Sequence, residues 1–192
     1  MHLPELLLGV SSLLFSAINL PVKPWISRKL VHIGTGTLLL NADISDPNVI
    51  NAIYTSSLIV VTSTTLNGIK HISKGRTSDG IIKDIGIFSY VLACSMCLLL
   101  EVPYSEMSPL FYADPAGAIF GRTIDSQKLY ENKTLAGTSA VLSTAIITSS
   151  GGLDEKLLSG VMIMFIELFG GKIDNALIAS FLFLKYFLIN SL

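Results

Sequence analysis

FYADPAGAIFGRTIDSQKLYENKTLAGTSA, Phe111 to Ala140, breaks a run of apolar segments with charges and a cluster of glycines. Read as a helix, its first part places Asp114 roughly two turns inside lipid-soluble sequence. A carboxylate at bilayer depth costs about 3 kcal/mol or more and marks a functional position. Pro115 is the residue type expected in the first turn of a helix. Ala113, Gly117 and Gly121 recur every four residues. Such a row of small side chains lets a second helix, or a ligand, approach the backbone. Beyond Arg122 a polar loop leads to Lys133-Thr134 and then Ala136-Gly137-Thr138, which opens the next apolar run. A lysine, a glycine and hydroxyls at a helix start suit phosphate, because free N–H groups and the helix dipole face the anion.

The rest of the chain supplies the setting. Of its 192 residues, 51% are hydrophobic and 14% charged, and the mean hydropathy is +0.63. Soluble domains carry about a quarter charged residues, so an integral membrane protein is expected. A net charge of −1 lacks the basic face of a nucleic-acid binder. Cys94 and Cys97 have no second pair beside them, and they read as core packing rather than as a redox or metal pair.

A spanning helix needs about 20 apolar residues. The candidate spans are Leu3–Leu20, Leu30–Leu40, Val49–Leu66, Ile81–Leu100, Met107–Gly121, Leu135–Ser149, Leu157–Gly170 and Ala176–Leu192. The expected fold is therefore all-α: a polytopic integral membrane helix bundle of about seven or eight transmembrane helices, forming a single domain over residues 1–192. Leu3–Leu20 has no preceding Lys or Arg and reads as a retained span rather than a signal peptide.

Charge sorts the loops. Lys23, Arg28 and Lys29 are assigned to the first, Lys70, Lys74, Arg76 and Lys83 to the third, and Arg122, Lys128 and Lys133 to the fifth. The second carries Asp43 and Asp46, and the fourth Glu101 and Glu106. By the positive-inside rule the odd loops face the cytoplasm and both termini the opposite side. Arg28, Lys29, His32, Asp114, Arg122, Lys133, Glu167, Asp174 and Asn175 are then expected at one cytoplasm-facing depth.

Each remaining motif has an ordinary reading beside a functional one. RKLVHIGTG, Arg28–Gly36, puts Arg28, Lys29 and His32 on one helical face. The basic pair is a normal interfacial anchor, whereas His32 followed by Gly34 and Gly36 suggests a site. SKGRTSDG, Ser73–Gly80, could cover a nucleotide or be a solvated loop. ELFGGKIDN, Glu167–Asn175, offers three oxygen ligands across a Gly-Gly break, and Mg²⁺ takes one or two carboxylates beside phosphate oxygens and water. Asp174 also suits an N-cap of the last span, an excuse that Glu167 lacks.

Taken in order, RKLVHIG, the basic loop at Gly75–Gly80, DPAGAIFGR, KTLAGTSA, and Glu167 with Asp174-Asn175 resemble the phytol kinase and dolichol kinase family of membrane enzymes. The resemblance covers most of the chain from residue 28 onward. It departs from the family pattern at Ala113, where glycine is usual, after Arg122, and at Ala176-Leu177-Ile178, which lacks a proline. It implies phosphorylation of an isoprenoid alcohol in the bilayer by a nucleoside triphosphate, CTP, with Mg²⁺ or Mn²⁺. On that reading Asp114, Lys133, Glu167, Asp174 and His32 are catalytic. Asp114, Glu167, Asp174 and Asn175 hold the metal. Arg28, Lys29, Arg122, Gly121, Lys133, Gly137 and Thr138 bind the nucleotide. The alternatives are a CTP-dependent enzyme like the phosphatidate cytidylyltransferases and a small ion-coupled transporter using Asp114, Glu167 and His32 as a relay.

Overall fold

The computed structural model describes residues 1–19, 22–65 and 85–191. The basic loop Ser73–Gly80, with Lys70, Lys74, Arg76 and Lys83, lies outside the described residues. The described residues are almost entirely helical and pack as two compact units, Met1–Glu101 and Val102–Leu192.

The first unit contains α1 (Leu3–Asn19), α2 (Pro24–Leu40), α3 (Pro47–Thr65) and α4 (Ile85–Leu99). Proline opens α2 and α3, where its missing N–H costs nothing and its fixed φ suits the first turn. The span expected to begin at Leu30 is thus 17 residues long and starts at Pro24. Its polar first turns had disguised its length, and Arg28 and Lys29 lie in that helix rather than in a loop. Before α3, Oδ1 of Asp46 accepts the N–H of Asn48 at 2.8 Å, satisfying one of the donors a helix start exposes. In the same loop, Ser45 donates its hydroxyl (2.6 Å) and its N–H (3.1 Å) to Asp43. These bonds, the hydroxyl first, hold the Asp43 carboxyl below its usual range. Helices α1 and α2 meet at glycine: Gly9 packs against Leu38, and Gly34 against Leu13. Cys94 and Cys97 are buried on α4, as their apolar surroundings suggest.

The second unit contains α5 (Ser108–Thr123), a short antiparallel hairpin of β1 (Lys128–Tyr130) and β2 (Lys133–Thr134), α6 (Leu135–Thr148), α7 (Leu153–Phe169) and α8 (Asp174–Asn190). A 3₁₀ turn, Tyr104–Met107, precedes α5, and another, Gly171–Ile173, precedes α8. The core gathers Met107, Leu110, Phe111, Val141, Ile163 and Ile178, each at most 1% exposed. α5 and α6 form its most extensive helix pair, and the small-residue row is the reason. Gly117 and Gly121 face Gly137 so closely that a Cβ on Gly137 would lie 2.8 Å from the Gly117 carbonyl oxygen and 3.1 Å from Gly121 Cα.

Among the described residues, one helical stretch, Gly171–Asn190, is long and apolar enough to cross a membrane by length and composition. Leu3–Leu13, Ile85–Leu99 and Leu135–Thr148 are apolar but shorter. A 17-residue helix is only about 26 Å long, against a hydrocarbon core of about 30 Å.

Candidate functional site

Asp114 is positioned by a helix that begins earlier than its own motif suggests. The 3₁₀ turn and Pro109 at the helix start set α5 going at Ser108. Pro115 therefore lies in the helix interior rather than in a first turn. Asp114 projects from the middle of α5 and is 7% exposed.

The second acidic group comes from the α7–α8 junction. Glu167 is in the last turn of α7 and also 7% exposed. The chain then breaks at Gly170-Gly171. Gly171 has φ +61°, a left-handed conformation that costs a side-chain-bearing residue about 1 kcal/mol or more. At Gly170 a Cβ would lie 3.1 Å from Asp174 Cα and 3.3 Å from its Cβ. Two glycines thus fold Asp174 back toward the end of α7. Asp174 does not cap α8: Ile173 occupies the N-cap position, and Asp174 is the first helical residue. Its Oδ1 accepts the N–H of Asn175 at 2.7 Å, and Asn175 is buried.

These pieces bring three carboxylates together. One oxygen each from Asp114, Glu167 and Asp174 lie within 4.8 Å of one another. Mg²⁺ at about 2.1 Å from its ligands needs oxygens at most about 4.2 Å apart, and Ca²⁺ at up to 2.6 Å spans about 5 Å. A modest contraction closes the trio on Mg²⁺ or Mn²⁺. Lys133 Nζ donates to Glu167 Oε1 across the hairpin–α7 contact. The other oxygen, Oε2, is buried with no hydrogen-bond partner among the described residues. Leaving a desolvated carboxylate oxygen unpaired costs at least about 1–3 kcal/mol. A cation at the trio would supply its missing partner, and the all-oxygen donor set fits a hard divalent ion.

Lys133 reaches Glu167 because the hairpin is tied down on both sides. Tyr130 packs edge-on against Phe169 with centroids 5.2 Å apart. Thr134 donates to the Gly121 carbonyl (3.4 Å) and accepts the Gly137 N–H (3.3 Å). It therefore ties the end of α5 to the start of α6.

That anchoring corrects the expected phosphate cradle. The N–H groups of Leu135, Ala136 and Gly137 are taken by Gln127 O (2.8 Å), Ser126 Oγ (3.0 Å) and Thr134 Oγ1. The start of α6 is capped by its own chain, so its first three amides are not offered to an anion. Gly121 and Gly137 lie in the α5–α6 contact, Thr138 is half-buried in the first turn of α6, and Arg122 is exposed in the last turn of α5.

Asp114, Lys133, Glu167, Asp174 and Asn175 all belong to the second unit. Arg28, Lys29 and His32 belong to α2 of the first. There His32 packs against Tyr90, with ring centroids 4.1 Å apart, and its carbonyl accepts the Tyr90 hydroxyl at 3.1 Å. Ser126 and Tyr130 were not singled out in the sequence, and Thr134 was read there as part of a phosphate motif rather than as the cap of α6. A Thr directly before an apolar run is an N-cap signal, and it would have found this cap.

Compared with protein-family models, with curated proteins and with solved structures, the chain matches none.

Proposed function

We propose that the chain is a membrane lipid-alcohol kinase of the phytol and dolichol kinase type, transferring the terminal phosphoryl group of a nucleoside triphosphate, CTP, to an isoprenoid alcohol. The observation that carries this reading is the Asp114–Glu167–Asp174 trio, with Asp114 and Glu167 buried and Asp174 half-buried, and its unpartnered Glu167 oxygen. Phosphoryl transfer requires positioning and charge neutralisation more than covalent help from the protein. A bound divalent cation supplies that neutralisation at the nucleotide phosphates. Glu167 and Asp174 hold it, with Asn175 beside them. Asp114 would either give an oxygen to the cation or take the alcohol's proton as the new O–P bond forms and the bond from the γ-phosphorus to the departing nucleoside diphosphate breaks. Arg122, exposed at the end of α5, contributes positive charge toward the nucleotide phosphates.

The bundle is proposed to span the membrane several times, with this chemistry on the cytoplasmic side. Large apolar side chains are exposed along successive helices, among them Leu58 and Ile59 on α3, Leu158 and Phe165 on α7, and Leu184 and Leu188 on α8. Water would leave such surfaces without a partner, and lipid tails cover them. An isoprenoid tail needs only such apolar surface, so recognition concentrates at its hydroxyl.

The test is purified protein in lipid with labelled CTP, ATP and UTP and a panel of phytol, farnesol, geranylgeraniol and dolichol. Label from the γ position entering an organic-soluble monophosphate supports the reading. Transfer of the nucleotidyl moiety to a phospholipid would indicate the cytidylyltransferase class instead. Ion flux in liposomes without nucleotide dependence would indicate a transporter.

A further inference from the structure

Lys133 sits in a phosphate-like motif, yet its ammonium is spent on Glu167. The two differ sharply in surroundings: the Lys133 side chain is 32% exposed, the Glu167 side chain 9%. The lysine could reach solvent at little cost, whereas the carboxylate has nowhere else to turn. The hairpin holds the lysine in place through Tyr130 on Phe169, two residues past Glu167, and through Thr134 on Gly121. The contact takes Oε1 and leaves Oε2 as the oxygen without a partner.

We infer that Lys133 is a positioning residue for the metal: it fixes the Glu167 carboxylate by one oxygen so that the other is presented, with Asp114 and Asp174, as a ligand. Carboxylates that bind metals are commonly held by a second group in this way, and losing that group weakens metal affinity about 10- to 100-fold. The inference rests on the divalent-cation part of the proposed function and not on the nucleotide or the alcohol.

Its sign separates it from simple electrostatics. Three carboxylates and one ammonium leave a net charge of −2, and removing the ammonium makes the site more negative. Coulomb attraction alone then predicts tighter cation binding in a neutral variant. Positioning predicts weaker binding, because Glu167 is free to leave the trio.

The experiment is Mn²⁺ binding to the full chain in detergent, followed by electron paramagnetic resonance, with no nucleotide or alcohol present. Lys133→Met should weaken binding about 10-fold or more, and Lys133→Arg should recover most of it. Lys133→Gln, a milder change should the methionine variant fail to fold, should also bind more weakly than the wild type. In a Glu167→Gln background, Lys133→Gln should add no further loss. Mn²⁺ binding by Lys133→Met or Lys133→Gln as tight as, or tighter than, the wild type would overturn the positioning role. Failure of the wild type itself to bind Mn²⁺ would instead remove the metal site, a distinguishable result.

Discussion

Gly137 on α6 and Gly117 on α5 are in backbone contact: a Cβ on Gly137 would stand 2.8 Å from the Gly117 carbonyl oxygen. Backbone cannot yield as a flexible side chain can, so a methyl there must push the helices apart. Because α5 carries Asp114, the separation would be felt at the acidic trio as well as in the packing. Gly137→Ala is expected to cost about 1–3 kcal/mol, the usual range for overpacking, and to weaken Mn²⁺ binding. Thermal unfolding in detergent with metal titration measures both, and an unchanged melting temperature would refute the close contact.

The two junction glycines separate backbone strain from crowding. Gly171 has φ +61° but open space around its missing Cβ, whereas Gly170 faces Asp174. Gly171→Ala should lose about 1 kcal/mol of stability and keep most of its metal affinity. Gly170→Ala, whose Cβ would stand 2.5 Å from the Ile166 carbonyl oxygen and 3.1 Å from Asp174 Cα, should cost more stability than Gly171→Ala and, by displacing Asp174, lose metal affinity as well. Equal metal affinities in the two variants would contradict this assignment of roles.

Cation binding should itself stabilise the fold. A ligand that binds only the folded state adds about 2.7 kcal/mol at a hundred times its dissociation constant. Saturating Mg²⁺ is therefore expected to raise the melting temperature of the wild type, and chelation to lower it again. Asp174→Asn should blunt the shift. A full shift in that variant would take Asp174 out of the ligand set.

Thr134 gives a test of the capped α6 start. Thr134→Ser keeps the cap, and Thr134→Val removes it at about 1 kcal/mol. The valine variant also releases the tie to Gly121, so it should fray the hairpin that aims Lys133. Hydrogen exchange at Gly137 reads this directly, and equal protection in both variants would argue against the cap.

Much of this arrangement was legible in the residues themselves. The order of the helices followed from the apolar runs and the Gly170-Gly171 break, whereas Pro24 and Pro47, which open α2 and α3, were not read as helix starts. Of the acids that meet, Asp114 and Glu167 stood out as carboxylates within apolar runs, and Asp174, which also suited an N-cap, joined them across the Gly-Gly break. The span expected from Met107 matches α5, which begins at Ser108, although Pro115, read as a first-turn residue, lies in its interior. Two things were hidden. The hairpin is too short and polar for a period-2 pattern to show. Lys133 reads as a phosphate ligand by its local motif, and only the tertiary fold brings Glu167, 34 residues away, to its ammonium.

The central claim, that the carboxylate of Asp114 serves phosphoryl transfer, is tested most directly by turnover of Asp114→Asn. With labelled CTP and phytol or geranylgeraniol in lipid, the variant is expected to fold and insert normally and to lose activity by orders of magnitude. Near-normal formation of the lipid monophosphate by Asp114→Asn would contradict the account.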